Sequence, residues 1–179
     1  TYTQAEQLLE TGQLERALQE VRHAIESAPD EPSFHTLAAR IHIEMNRLQA
    51  AIDALDHAIE LDEEAAPPHY FAGIVYQRWS RDAEALEHYR TAYELDDQNV
   101  QYLLAWAEML VSMGRTEEAR RIIDDRIAYF EYDPVLRHML AEIARVEGNL
   151  DLAMQEFTAA RMLDPENLTL VEELSLIHI

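Results

Sequence analysis

Apolar residues along the chain recur with a constant spacing of 34 residues. Five alanines mark the spacing, and each opens an apolar helical stretch: Ala17, Ala51, Ala85, Ala119 and Ala153. A bulky apolar residue follows each of them one helical turn later on the same face. These residues are Val21, Leu55, Tyr89, Ile123 and Phe157. A regular spacing of this length predicts stacked helical units, each too small to bury its apolar face alone.

Two further columns share the spacing. Five residues before each alanine lies a small or turn-forming residue: Gly12, Asn46, Ser80, Gly114 and Gly148. Such residues suit a tight connection between two helices. Small residues also recur later in the second helix, where they let neighbouring backbones approach: Ala24, Ala58, Ala92 and Ala160. Each unit is therefore predicted to be a pair of antiparallel helices.

Three segments carry helix-start chemistry, because an acidic side chain that can cap a helix stands beside a proline. The segments are Asp30-Glu31-Pro32, Asp133-Pro134 and Asp164-Pro165. In the helix that begins at residue 32, residues at helical spacing form two stripes. One stripe is Phe34, Ala38, Ile41 and Met45, and the other is His35, Ala39 and His42. Two stripes predict a helix packed on both sides.

The 34-residue unit resembles the tetratricopeptide repeat (TPR). The third unit carries the resemblance best, with Ala72-Gly73 and Tyr76 in its first helix and Ala85, Tyr89 and Ala92 in its second. The resemblance implies an all-α fold, a right-handed α-solenoid of antiparallel helix pairs (the TPR superhelix). The predicted units are 1–31, which is N-terminally truncated, then 32–65, 66–99, 100–133 and 134–167, with 168–179 as the first helix of a partial sixth unit or a non-native tail.

The fourth unit departs from the pattern because Arg126 stands where the other units place alanine. We expect its second helix to continue through Tyr129, Phe130 and Tyr132 to Asp133. Arg126 would then either widen the local packing with its charge turned outward or belong to a specific docking surface.

Composition narrows the classes of function. The chain has 14 basic residues, all of them Arg, against 35 acidic residues, for a net charge of −21 at pH 7. This balance argues against nucleic acid, which binds cationic surfaces. No apolar stretch is long enough to cross a membrane. We therefore expect a soluble, cytoplasmic chain that does not insert into membranes.

Candidate chemistry is sparse. The absence of Cys excludes disulfides, thiolate metal sites and cysteine nucleophiles. We expect His35 and His69 to lie in the core, and His23 and His57, which share one repeat position, to face solvent. The four glycines are isolated, so no phosphate-binding loop is present. We expect no catalytic residue, cofactor or metal, and therefore no enzyme.

The resemblance further implies that the first helix of each unit lines a concave, partner-binding surface. The positions left free by the two packing stripes form the predicted groove: Thr36, Arg40, Ile43, Tyr70, Ile74, Gln77, Arg78, Leu104, Glu108, Val111, His138, Glu142 and Arg145. Its mixture of apolar, basic and acidic side chains favours a protein or peptide partner of mixed charge. The chain is thus interpreted as a protein-interaction scaffold.

One binding mode known in the family is disfavoured. The carboxylate clamp for chaperone C-terminal tails uses Lys, Asn and Arg, whereas this chain has no Lys and carries Tyr2 and Glu6 at the first groove positions.

Two other interpretations stay open. The chain could be a self-associating or spacer segment of a larger protein, with Tyr129, Phe130, Tyr132 and the apolar tail in the contact. It could also accompany a catalytic domain outside this sequence.

Overall fold

The computed structural model describes residues 1–129 and 133–165, and the regular elements in these ranges are all α-helices. In chain order they are α1 (Tyr2–Glu10), α2 (Leu14–Ser27), α3 (Pro32–Glu44), α4 (Leu48–Leu61), α5 (Ala66–Arg78), α6 (Asp82–Leu95), α7 (Val100–Ser112), α8 (Thr116–Asp124), α9 (Pro134–Val146) and α10 (Leu150–Leu163). The all-α prediction is confirmed.

The helices come in pairs that repeat along the chain. From α3 onward, each first helix begins one full repeat after the previous one, at Pro32, Ala66, Val100 and Pro134. The second helices keep the same spacing, from Leu14 in α2 to Leu150 in α10. Each pair is therefore built on one backbone plan, with the first helix running antiparallel to the second.

The turn within each pair is closed by a residue with left-handed backbone geometry. All five predicted turn residues have positive φ: Gly12 (72°), Asn46 (55°), Ser80 (56°), Gly114 (75°) and Gly148 (78°). The N–H of the next residue then donates to a carbonyl five positions back, as Gln13 does to Leu8 at 2.8 Å and Asn149 does to Ala144 at 2.9 Å. This bond ends the first helix and reverses the chain. The predicted tight connections are confirmed.

The two helices of a pair touch through small side chains. The five alanines that mark the spacing, Ala17, Ala51, Ala85, Ala119 and Ala153, are completely buried. Facing helices carry their own column of small buried residues: Ala5, Ala39, Gly73, Ala107 and Ala141. The bulky column from Val21 to Phe157 is at most 3% exposed. Small residues on both helices thus allow the approach that buries the bulky ones.

The chain divides into two compact units, of which the first spans Thr1–Asp96. Its middle helix, α3, is buried on two sides. Ala38 and Ile41 pack with α1 and α2, while Ala39 and Ile43 pack with α4 and α5. The predicted packing of α3 on both sides is therefore confirmed, but Ile43, which was predicted to lie in the groove, belongs to the second side.

The second unit spans Asp97–Ile179 and contains α7 to α10 in its described part. Ala141, Ala144 and Phe157 belong to its fully buried core. Two ion pairs connect neighbouring elements: Arg120 of α8 pairs with Glu147, and Arg137 of α9 pairs with Glu156 of α10 at 3.0 Å. This unit thus combines an apolar core with charged contacts between helices.

The expected extension of α8 is wrong. The helix ends at Asp124, and Arg126 and Ile127 both donate their N–H groups to the Ile123 carbonyl, which closes a turn. Two carboxylates, Asp124 and Asp125, stand where the negative end of the helix dipole disfavours them. The end of the helix is thereby weakened. Phe130 and Tyr132 lie outside the described residues.

Arg126 is half-buried and turned towards its own unit. Its guanidinium donates to Asp97 at 3.0 Å and lies 5.8 Å from the ring centroid of Tyr129. The charged group that replaces alanine is therefore partnered within the second unit.

The three predicted helix starts differ in how they are capped. Asp133 accepts hydrogen bonds from the N–H groups of Val135 and Leu136 at 2.9 Å, so this cap is confirmed. At α3 the N-cap residue is Glu31, and its carboxylate accepts from the Ser33 hydroxyl and makes no cap bond. The glutamate has one methylene more than the preferred aspartate. Asp164 ends α10, and a helix beyond it would lie outside the described residues.

His35, His23 and His57 lie at their predicted places, whereas His69, which was expected in the core, is half-buried. His35 is buried and donates from Nε2 to the Pro29 carbonyl at 2.6 Å. His23 and His57 are exposed, and each lies beside a glutamate three residues later in its helix. Among residues 1–129 and 133–165, no group of three His, Cys, Asp or Glu side chains converges as a metal site would require.

A second histidine contact joins α5 to α6. The Nδ1 atoms of His69 and His88 are 3.1 Å apart, and the His88 ring stacks on Tyr76 at 5.2 Å. Burial lowers the pKa of both imidazoles, and for His69 the neighbouring His88 lowers the pKa further. One imidazole can donate to the other only while one Nδ1 lacks a proton. Protonation of both rings would therefore break the contact.

In the third pair, α5 and α6 approach closely at Gly73, so a substitution at this residue tests the packing. A Cβ atom on Gly73 would lie 2.5 Å from Cε1 of Tyr89, whose hydroxyl donates to Gln77 at 2.8 Å. We expect Gly73→Ala to lower the free energy of unfolding by about 1–3 kcal/mol, despite the better helix propensity of alanine. Urea denaturation followed by circular dichroism measures the change.

The matched background is Tyr89→Leu, because the second pair places Leu55 in the same core as Ala39. In this background the alanine should cost far less. An equal cost in both backgrounds would show that the ring does not set the requirement for glycine.

The histidine pair predicts a pH dependence of stability. Since the folded-state pKa values are lowered, the unfolded chain takes up protons first as the pH falls below about 6.5. The neutral imidazoles of His69 and His88 thus contribute to the free energy of unfolding above that pH. This contribution is lost as the pH falls towards the folded-state pKa values. Urea denaturation at pH 7.5 and pH 5.5 measures the loss.

The control is His69→Leu/His88→Ile, which introduces the side chains of Leu103 and Ile122, the equivalent positions in the next repeat. This variant should lose less stability over the same pH interval than the wild type. The same loss in both proteins would rule out the histidine pair as the cause.

Candidate functional site

A cleft in the first unit lies among the carboxyl ends of its first helices. It has a volume of about 530 Å³. Its lining residues are Leu9, Glu10, Gly12 and Leu14 from the first pair, Arg40, Ile43 and Glu44 from α3, and Phe71, Ile74 and Arg78 from α5. We call this space the carboxyl-end cleft. It offers apolar carbon to a bound chain, with charged groups of both signs around it.

The cleft lies there because of the repeat itself. Helices α1, α3 and α5 lie side by side, and each ends at the turn that the left-handed residue closes. Their last residues, Glu10, Glu44 and Arg78, therefore lie at one edge of the unit. A row of helix carboxyl ends carries partial negative charge.

The two arginines of the cleft have partners within the chain. Arg40 lies 3.7 Å from the carboxylate of Glu6, and its guanidinium is 5.4 Å from the ring centroid of Phe71. Arg78 donates to the carbonyl of Ile43 at 2.8 Å. Arg40 thus connects α3 to both α1 and α5, and Arg78 connects α5 to α3.

A second cleft of about 380 Å³ adjoins the first one. Arg40 and Phe71 line both, so their stacked side chains form the ridge between them. The second cleft extends towards the amino ends of α3 and α5, where Pro32 and Pro68 line it. Together the two clefts follow the length of α3.

The predicted groove residues of the first unit divide into three groups. Arg40, Ile74 and Arg78 line the carboxyl-end cleft and reach its surface. Thr36 and Ile43 also line clefts but are almost fully buried, at 8% and 3% exposed. The Thr36 hydroxyl donates to the Pro32 carbonyl at 3.0 Å.

Tyr70 and Gln77, the third group, have different contacts. The ring of Tyr70 packs against Phe71 and Tyr89, and the side-chain oxygen of Gln77 accepts from the Tyr89 hydroxyl. Neither residue lines the two clefts.

In the second unit the predicted groove residues also differ in exposure. Leu104 is buried, Val111 is partly buried, and His138 packs 5.5 Å from the ring of Phe157. Arg145 pairs with Glu142 on the same helix at 2.6 Å. Desolvation raises the pKa of the Glu108 carboxyl, and nearby His138 lowers it in part.

Sequence reasoning omitted Phe71 and Leu9 from the groove. Phe71 lies directly beside Tyr70 and one repeat after Leu37, so the repeat spacing could have identified its place. Its contact with Arg40 could not be read from spacing, because a cation over a ring depends on the side-chain conformations of two helices.

Two further aromatic side chains, Trp79 and Tyr129, have different surroundings. Trp79 is partly buried, packs against the core of the first unit and makes an edge contact with Tyr76. It therefore covers the end of its repeat. Tyr129 is 73% exposed, while the tail from residue 168 lies outside the described residues. Among the described helices, none is long and apolar enough to cross a bilayer.

Comparison with known proteins gives one family match and many structural likenesses. The family model described as "Anaphase-promoting complex, cyclosome, subunit 3" matches residues 1–58. No curated protein matches the sequence significantly.

Three solved structures represent the likenesses. TTC0263, a thermophilic TPR protein of Thermus thermophilus, is 18% identical with a TM-score of 0.76, covering 98% of this chain and 96% of its own. YrrB, described as a TPR protein with an unusual peptide-binding site, is 24% identical with a TM-score of 0.70, covering 88% and 81%. PilW, a type IV pilus biogenesis factor, is 17% identical with a TM-score of 0.78, covering 90% and 75%.

These proteins share the helix pairs and the repeat described above, and at this level of identity the likeness concerns the fold. The constant repeat spacing, the buried alanines and the left-handed turns are all present in the chain itself. Together with the likenesses, they identify the chain as a protein of the tetratricopeptide-repeat fold.

Proposed function

We propose that the chain is a protein-interaction module and that its first unit binds an extended segment of a partner protein in the carboxyl-end cleft. The observation that supports this proposal is the cleft itself. About 530 Å³ of open space, with Leu9, Phe71 and Ile74 among its lining residues, falls within the size range of sites that bind small molecules or side chains.

The adjoining second cleft favours an extended ligand over a compact one. A segment that crosses the ridge of Arg40 and Phe71 would contact both clefts and run along α3. Apolar side chains of the segment would fill the clefts, and its charged groups would meet Arg40 at the ridge and Glu10 and Glu44 at the carboxyl ends of their helices. Peptide binding is described for YrrB, which shares the fold.

The proposal gives the chain no catalytic step of its own. General acid-base or nucleophilic chemistry needs several reactive groups that converge in a sheltered pocket. In the carboxyl-end cleft, Arg40 and Arg78 serve contacts between helices, and the remaining titratable side chains are carboxylates at helix ends.

Self-association is the weaker alternative. Of the residues predicted for such a contact, the structure describes Tyr129, whose exposed ring lies near the guanidinium of Arg126. The described part of the second unit also exposes Val135, Val146, Leu150 and Met162, but none of these apolar side chains lines either of the two clefts. The cleft therefore supports the peptide-binding proposal better.

The experiment begins with a random dodecapeptide display library selected against the full chain. The affinity of the tightest peptide is then measured by fluorescence anisotropy. We expect Ile74→Asp to weaken binding at least about tenfold, because a carboxylate in the apolar part of the cleft removes buried contacts and must be desolvated.

The control is Leu95→Asp, which makes the same kind of change at an exposed position outside both clefts. It should leave the affinity unchanged. If both variants bind like the wild type while remaining folded, the cleft is not the binding site.

A further inference from the structure

We propose that the carboxyl-end cleft contains a subsite for the guanidinium of an arginine in the partner segment, formed by Glu10, Glu44 and the backbone carbonyl of Leu9. This inference rests on the proposed function, since it names the side chain that the cleft recognises. The partner segment would therefore contain an arginine next to apolar residues.

The chain supplies an internal example of such a contact. At the carboxyl end of α3, the carbonyl of Ile43 accepts a hydrogen bond from the N–H of Asn46 and a second one from Arg78 of the next first helix. The guanidinium thus occupies the negative end of α3. A cation at this place is favoured both by the hydrogen bond and by the helix dipole.

The equivalent place one repeat earlier, at the carboxyl end of α1, has no guanidinium bound to its carbonyl. A shift back by one repeat takes Ile43 to Leu9 and Arg78 to Glu44. The Leu9 carbonyl accepts from the N–H of Gly12, as Ile43 does from Asn46. The residue equivalent to Arg78 is Glu44, whose carboxylate has no proton to donate. The Leu9 carbonyl is therefore an acceptor equivalent to the Ile43 carbonyl, but the chain has no arginine at the position that would donate to it.

The carboxylates of this subsite lie in an unfavourable place. Glu10 and Glu44 are the last residues of α1 and α3, where negative charge opposes the helix dipole. Within the part of the chain that the structure describes, neither carboxylate has a hydrogen-bond or ion-pair partner. At the end of α3 the guanidinium of Arg78 already offsets the helix dipole, so a cation in the cleft would chiefly relieve the charge of Glu10 at the end of α1. It would also suit a chain of net charge −21.

Arginine fits the subsite better than lysine. A guanidinium presents five N–H groups in a plane and can bond to two carboxylates and a carbonyl together, whereas an ammonium offers a compact charge with three donors. The neighbouring apolar side chains, Leu9 and Ile74, would lie along the methylene groups of the arginine and the apolar residues beside it.

The first test uses the peptides selected on the full chain. Peptides that depend on Ile74 should contain an arginine next to apolar residues. Replacement of that arginine by citrulline, which keeps the shape and removes the charge, should weaken binding about tenfold or more. Lysine in its place should give an intermediate loss.

The second test fills the subsite from within. Glu44→Arg recreates the arrangement of Arg78, so its side chain should take the Leu9 carbonyl and exclude the peptide. Affinity should fall at least about tenfold, and Glu44→Gln should reduce it less. The control Glu26→Arg makes the same charge change on exposed α2 and should bind normally. Thermal melts establish that each variant is folded.

The outcomes separate this inference from the proposed function. Peptides that need Ile74 but tolerate citrulline, or bind Glu44→Arg with full affinity, would overturn the arginine subsite and leave the cleft as the binding site. Peptides that bind independently of Ile74 would overturn both.

Discussion

The close approach of two helices through small side chains is the constraint on which the rest of the structure depends. Ala17 and its equivalents are completely buried, and the facing column of Ala5, Ala39 and their equivalents is buried as well. A larger side chain at either column would separate the helices and expose the bulky residues one turn away. The left-handed residue of each turn then sets where the second helix begins, so the repeat spacing stays constant along the chain.

The candidate site is a consequence of this plan. Because each first helix ends at an equivalent turn, the carboxyl ends of α1, α3 and α5 lie together and leave a cleft between them. The backbone is the same at each end, but the last side chain changes from Glu10 and Glu44 to Arg78. The carbonyls of Leu9 and Ile43 are equivalent acceptors, but the residue that could donate to them is Glu44 in one case and Arg78 in the other. A bound segment would therefore meet different charges at the two ends of the cleft.

Much of the fold could be predicted from the sequence because each of the five repeats needs small residues at the helix contact and a turn-forming residue between its helices. A column of alanines or of turn-forming residues is visible without knowledge of any contact, and the structure places each column as expected. The failures concern single residues. The helix α8 ends early at Asp124, where the carboxylates of Asp124 and Asp125 oppose the helix dipole.

The site was harder to predict because the free face of a helix is set by its neighbours. Thr36, Ile43 and Leu104 were expected in the groove by elimination, but packing buries them. The role of Arg78 depends on its reach to the Ile43 carbonyl in the preceding first helix. Periodicity locates a residue on a helix, whereas partners across helices depend on side-chain conformation.

The most direct measurement of the central claim is a methyl NMR titration of the full chain with a selected peptide. Leucine, isoleucine and valine methyl groups would be labelled. Binding in the carboxyl-end cleft predicts shifts concentrated at Leu9, Leu14, Ile43 and Ile74, with the core methyl groups of Leu136 and Ile143 unaffected. Shifts confined to the second unit, with the four cleft residues unchanged, would contradict the account.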